Sequence, residues 1–246
     1  MTEPRFDSIL AQVKLRYSSN QVGVALAEGL PALARIALTA RVARRTVRFV
    51  TFQVESAREI VEGAIGAAEK ASSGESMSAG EDLAAQDAAV LRACALEEVA
   101  GNEAAARAGK VARYTARCVW GPELAFGENA LLADTDLQRV FTRACSDRGM
   151  AASEIKGAID DEMRGVSADL QRLILYAEAC GERWLDPDLA GPSDRRNDRG
   201  WNSMLEAAGI SRAARGSENR ERWQRIHQEV RKAGGCFYPP GLFARL

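Results

Sequence analysis

The 246-residue chain contains a single histidine, His227. That alone excludes a multi-histidine metal centre, and any Ser/His/Asp or Cys/His arrangement would have to converge on this one side chain. His227 lies between Ile226 and Val230 in an amphipathic run, a setting for packing more than for catalysis. Aromatic residues make up only 6% of the chain, while Ala and Arg are abundant and Gly and Pro cluster at a few places. Strands draw on aromatic and β-branched residues and helices on Ala, Leu and Arg, so this balance favours helix.

Cysteine is present but never as a CxxC pair. The five cysteines are odd in number and widely spaced, which suggests neither a disulfide framework nor a zinc knuckle. Cys94, Cys118, Cys145 and Cys180 sit in Ala-rich helical contexts, where a free thiol behaves as a small buried hydrophobe. Cys236 falls in a loop, GGCFYPPG. Free thiols fit a reducing cytosol, so the expected location is cytoplasmic.

Long apolar runs are missing as well. The most apolar window, VGVALAEGLPALARIALTA from Val22, is interrupted by Glu28, Pro31 and Arg35, and the opening MTEPRFDS lacks the order of a secretory signal. The expectation is a chain that neither spans a membrane nor is exported. There is no P-loop, no paired-glycine dinucleotide turn and no GxSxG, so no cofactor is expected and an enzyme is the minority reading.

What is present is a long apolar seam. From Ala32 to Glu62 there is no Gly or Pro, and Leu33, Ile36, Ala40, Ala43, Val47, Val50, Val54, Ala57, Val61 and Ala64 follow a 3-4-3-4 spacing. The pattern predicts a long central helix over about 32–68 in an all-α, elongated multi-helix bundle. Leu38, Val42 and Phe49 form a second apolar stripe, so that helix should be buried on two sides. TVRFVTFQV, residues 46–54, is rich in β-branched and aromatic residues and alternates like a strand, but no partner strand is in view.

Around the seam, a short amphipathic helix is expected over 4–17. Further helices are expected over about 80–100 and 102–119, with Gly101-Asn102 as the break. Asp134, Ser153 and Ser167 are candidate caps for later helices, and Ser78 with Glu81 resembles a capping box after a loop or linker at 71–82. DPDLAGPSDRRNDRG, residues 186–200, shifts composition sharply. It divides a helical bundle at 1–190 from a smaller C-terminal helical segment with an aromatic, Pro-rich tail at 191–246.

Net charge near zero hides an uneven distribution. Residues 121–190 hold 7 Lys and Arg against 14 Asp and Glu, whereas residues 191–246 hold 11 against 6. Such asymmetry marks either an anion-facing segment or two regions that attract each other. Arg41, Arg44, Arg45 and Arg48 share one helical face at i, i+3, i+4 and i+7. In the C-terminal segment, WNSMLEAAGIS sounds like a helix-turn-helix, followed by Arg212, Arg215, Arg222 and Arg225. These eight arginines are the candidate sites for nucleic acid or another anionic partner, although for Arg41, Arg44, Arg45 and Arg48 pairing with the acidic middle region is the simpler reading. The run after Ser217 also places Trp223, Ile226 and Val230 on one stripe, the mark of a docked amphipathic helix. Asp160, Asp161 and Glu162 are the densest acidic group and could hold Mg²⁺ only with a second cluster on a facing helix, which is not evident.

The reading that follows is a non-enzymatic helical protein that binds another macromolecule, with a protein partner or self-association expected. The alternatives are a nucleic-acid-binding regulator using the C-terminal basic segment, and a carboxylate-metal enzyme around Asp160 and Asp161.

Overall fold

The computed structural model describes residues 3–17, 22–76, 83–120, 126–182, 184, 206–207 and 220–243. Its helices are α1 (Glu3–Arg16), α2 (Val22–Glu28), α3 (Ala32–Val47), α4 (Glu55–Ser73), α5 (Leu83–Val99), α6 (Glu103–Trp120), α7 (Phe126–Asp147), α8 (Ala152–Ala179) and α9 (Arg220–Lys232), closed by a 3-10 turn at Pro240–Phe243. No strand occurs among the described residues. The chain is all-α, as its composition implies.

Helix fills most of the stretch 32–68, but in two rods. α3 stops at Val47, the chain turns at Arg48 and Phe49, and α4 begins at Glu55. The run that alternates like a strand is where the helix gives way, because β-branched and aromatic side chains lose rotamer freedom against the preceding helical turn. Thr46 Oγ1 also donates back to the Val42 and Ala43 carbonyls. Phe49 then turns out of the helix to meet Phe141 edge-on, with ring centroids 4.8 Å apart.

A carboxylate from another helix secures the turn. Glu97 of α5 is buried and accepts the N–H groups of Gln53 (3.3 Å) and Val54 (2.8 Å), just ahead of α4. Val54 itself offers no side-chain cap. Asn102 donates both to Glu97 (2.6 Å) and to the Thr51 carbonyl (2.8 Å), so the α5–α6 turn clasps the α3–α4 turn.

The seam residues Leu33, Ile36, Ala40, Ala43, Val47, Ala57, Val61 and Ala64 are all buried. They form the centre of the bundle, where α3 packs against α4, α6 and α8, and α5 against α4 and α6. Small side chains allow these helices to approach closely: a Cβ on Gly109 of α6 would stand 2.6 Å from Cys94 Sγ of α5. Gly101, at φ +77°, ends α5, and Asn102 Oδ1 accepts the Ala105 N–H (3.3 Å) as α6 begins, as the sequence suggests.

Several expected boundaries move. α8 runs unbroken through both Ser153 and Ser167, and Ser167 donates to the Met163 carbonyl (3.0 Å) in place of capping a helix. Glu154 caps α8 by accepting the Ala151 N–H (2.8 Å). Asp134 lies inside α7 and not at its start. Ser78 and Glu81 lie outside the described residues, as do residues 186–200.

Trp223, Ile226 and Val230 of α9 join the same buried cluster as α3 and α4, and the tail follows them through Cys236, Tyr238 and Phe243. Truncating a fully buried Trp costs about 3–5 kcal/mol, so this stripe is a substantial anchor. The tail is stitched to the end of α4: Tyr238 N–H donates to the Ser72 carbonyl (2.8 Å) and Ser72 Oγ to the Tyr238 carbonyl (3.3 Å). α4 ends at Gly74, whose φ of +73° favours glycine. The Phe237 ring covers it so closely that a Cβ would lie 2.5 Å from a ring carbon.

One covalent feature corrects the reading of the cysteines. Cys180, at the end of α8, is disulfide-bonded to Cys236 across a Cα–Cα distance of 6.1 Å. Two isolated cysteines 56 positions apart carry no spacing signal, and only the return of the tail onto α8 brings them together. The case for a reducing cytosol from cysteine usage therefore falls away. Cys94, Cys118 and Cys145 are free and buried. Among the described residues, no helix is long and apolar enough to cross a membrane.

Candidate functional site

Arg41, Arg44 and Arg45 of α3, with Arg48 just past its end, all meet carboxylates of the same chain. Asp169 of α8, only 1% exposed, accepts Arg41 Nε (3.1 Å) and Arg45 Nε (2.8 Å) on Oδ2 and Arg172 Nη1 (3.2 Å) on Oδ1. One helical stretch earlier, Glu162 accepts Arg45 Nη1 (3.2 Å) and also Arg48 Nη2. Glu162 and Asp169 stand seven residues apart on α8, matching the seven from Arg41 on α3 to Arg48 at its C-terminal end. Arg44 turns the other way and forms a two-pronged pair with Glu69 of α4, both contacts at 2.9 Å. That hydrogen-bonded pairing raises the Arg44 guanidinium above its ordinary value despite partial burial.

A buried arginine needs a paired carboxylate and satisfied donors, because a lone buried charge is costly. The Arg45 side chain is 9% exposed, and its head has room only because the α8 residue beneath it is Gly165. The basic face of α3 and the acidic middle of the chain thus solve each other's desolvation. Arg48 remains half-exposed, and its head lies over the Phe49 ring at 5.1 Å, with Arg148 on the same ring at 5.9 Å.

The other candidate arginines fall elsewhere. Arg212 and Arg215 lie outside the described residues, and Arg222 lies within α9. Arg225 is exposed on α9, its Nε 3.4 Å from the Glu221 carbonyl. Asp160 and Asp161 are exposed on α8, and Asp161 pairs with Arg164. Among the described residues, no group of three or more His, Cys, Asp and Glu is placed to hold a metal ion.

His227 and Cys236 do not form a dyad, since Cys236 is in the disulfide. His227 is buried between Trp223 and Phe237, with ring centroids 5.6 and 5.5 Å away. Its Nε2 lies 2.9 Å from the Ala71 carbonyl, which can only accept, so Nε2 carries the proton of the neutral ring. Burial pushes the pKa of this imidazole down, as the nearby Arg231 charge also does, against the opposing Ala71 hydrogen bond. Tyr238 donates to Glu182, and burial together with that carboxylate pushes its phenol far up. A pocket of about 30 Å³ between Arg41, Glu69, Ser72, Tyr238 and Phe243 is of the size that holds a water.

The feature that sequence reasoning missed is on α5. Its inner side packs through Val90, Ala93 and Cys94, but its outer side is also apolar: Ala88, Leu91, Ala95, Leu96 and Val99 are all exposed. Val99 is 89% exposed. A surface helix normally turns a polar face to water, and one that is apolar all round is normally covered on both sides. That signal was legible as the absence of any amphipathic stripe in LAAQDAAVLRACALEEV. No protein-family model matches the sequence, and neither a curated protein nor a solved structure matches it.

Proposed function

We propose that this chain is a helical interaction protein that docks a protein partner on the outer face of α5. The observation that carries the reading is the row of exposed apolar side chains on that helix, Leu91, Leu96 and Val99 with Ala88 and Ala95. Interface cores are depleted in charge and rimmed by polar groups, and Ala88, Leu91, Ala95 and Val99 lie between Arg92 and Glu98 on that helix, with Leu96 beyond Arg92. The arginines of α3 support the same reading from the other side. With their heads occupied by Asp169, Glu162 and Glu69, their work is to hold α3 against α8 and α4.

The test compares proteins captured by the full chain with those captured by Leu91→Glu and Val99→Glu chains of equal thermal stability. A partner recovered with the parent and lost with both variants is the expected result. Duplex DNA affinity that falls with salt at about 0.9 log units per log unit for each phosphate contact, and that ignores both variants, would overturn this reading in favour of a nucleic-acid binder.

A further inference from the structure

We propose that residues 236–243 form a redox-gated strap: cutting the Cys180–Cys236 disulfide with a dithiol lets this segment swing out about Gly234–Gly235 while α9 stays docked. The proposal is independent of the outer face of α5. It rests on a two-point latch in register. Cys180 is bonded to Cys236, and two residues further along each segment the Tyr238 hydroxyl donates to Glu182, whose second oxygen accepts the Cys236 N–H (3.2 Å). Pinning Cys236 therefore holds Tyr238 beside Glu182. Among the described residues, the strap's other hydrogen bonds to the rest of the chain both go to Ser72. On the hinge side, Gly234 has a φ of +69° with open space around it. α9 keeps its own anchor in Trp223, Ile226 and Val230, each at most 2% exposed. An element held by so few ties can open locally while the helices beneath it stay folded.

Under the strap lie Ala37, Arg41, Glu69 and Ser72, which line the pocket closed by Tyr238, Pro240 and Phe243. The Arg41 guanidinium sits over the Phe243 ring at 5.4 Å, and only its Nε is hydrogen-bonded among the described residues. Opening the strap uncovers this guanidinium and the end of α4. Cys180 is half-buried and Cys236 buried, so a reductant thiolate attacks the Cys180 sulfur. The S–S bond breaks, its electron pair leaves on Cys236 and takes up a proton, and a mixed disulfide remains on Cys180. The reductant's second thiolate then attacks its own bonded sulfur and releases Cys180, which takes up the second proton. The chain gains two hydrogens and the dithiol becomes a disulfide. Burial of Tyr238 and Phe243 still favours the closed strap, so reduction raises the open population without emptying the closed one.

Amide exchange of the full chain tests it, with the protein oxidised by glutathione disulfide or reduced by dithiothreitol. The readout is the Cys236 and Tyr238 amides, which donate to Glu182 and to the Ser72 carbonyl. On reduction these should exchange roughly tenfold faster or more, while the amides of α3 and α9 stay within about twofold. Reoxidation should reverse the change, and Cys236→Ser should exchange like the reduced parent under both conditions. Iodoacetamide should label Cys180 and Cys236 of the folded chain only after reduction, sparing the buried Cys94, Cys118 and Cys145. Strap amides that ignore reduction overturn the gate, because the strap then holds without its bond. Acceleration of α3 by the same factor overturns it too, since reduction would then loosen the whole chain. A bond that dithiothreitol cuts only in denaturant, or that glutathione disulfide does not form, overturns the redox chemistry itself.

Discussion

Gly165 of α8 lies directly beneath the Arg45 guanidinium of α3: a Cβ there would stand 2.5 Å from Nη1 and 2.8 Å from Cζ. Both atoms belong to a head already fixed by Glu162 and Asp169, so neither can retreat without breaking an ion pair. In an open helical position Gly→Ala stabilises by about 1 kcal/mol. Here Gly165→Ala should destabilise by about 1–3 kcal/mol, the usual cost of overpacking, while Gly157→Ala on the same helix, which has open space, should be neutral or stabilising. Urea denaturation midpoints of the two variants check the contrast.

Asp169→Asn removes the carboxylate shared by Arg41, Arg45 and Arg172. Leaving the buried Arg45 with Glu162 alone, and Arg41 and Arg172 without this carboxylate, should cost about 3 kcal/mol. Asp161→Asn, at an exposed pair with Arg164, should stay within about 0.5 kcal/mol of the parent. If the two variants unfolded alike, the α3–α8 network would not be what holds these helices together.

Reduction of the Cys180–Cys236 bridge frees the tail from the end of α8. A closure of this length contributes up to about 4 kcal/mol by chain entropy, so a reductant, or Cys236→Ser, should lower the melting temperature. A peptide pair linking the two cysteines in a non-reducing digest is the direct check.

His227 gives a pH dependence with a defined sign. Its folded pKa is depressed by burial, so the unfolded chain binds the proton more readily. The stability it contributes is present above the unfolded value of about 6.5 and is lost as pH falls through that value toward the folded one. Unfolding free energy should therefore drop between about pH 7.5 and 5.5, and this portion of the drop should be absent in His227→Gln, whose amide can still reach the Ala71 carbonyl. Identical slopes in the two proteins would contradict the burial account.

Burial pushes the Cys94 thiol up to about 11 and the Cys118 thiol up to about 12. The thiolate is the reactive form, so neither should react with a thiol reagent at pH 8 while the chain is folded. Both should become reactive together when denaturant unfolds it. Rapid modification of either in the native protein would count against the packing of α5 on α6 and of α6 on α3.

The sequence determined this protein's class and its core. Helix-forming residues and a 3-4-3-4 apolar rhythm are local properties, and they turn the seam residues inward along both rods, while Val50 and Val54, in the turn between them, are half-buried. The stripe of Trp223, Ile226 and Val230 was readable for the same reason. Where the rods break was half legible: the run at 46–54 alternated like a strand within the expected helix, but the hydrogen bonds that fix the turn come from Glu97 and Asn102, 43 to 51 residues away. What only the tertiary structure decided is what each charged or reactive side chain meets. For Arg41 to Arg48 the sequence left open an anionic partner or pairing within the chain, and only the fold shows which carboxylates they meet, because Asp169 and Glu162 arrive from more than a hundred positions away. Cys180 and Cys236 are bonded because the tail returns to α8. Periodicity states which way a side chain points along its own helix, and long-range packing alone supplies the partner waiting there.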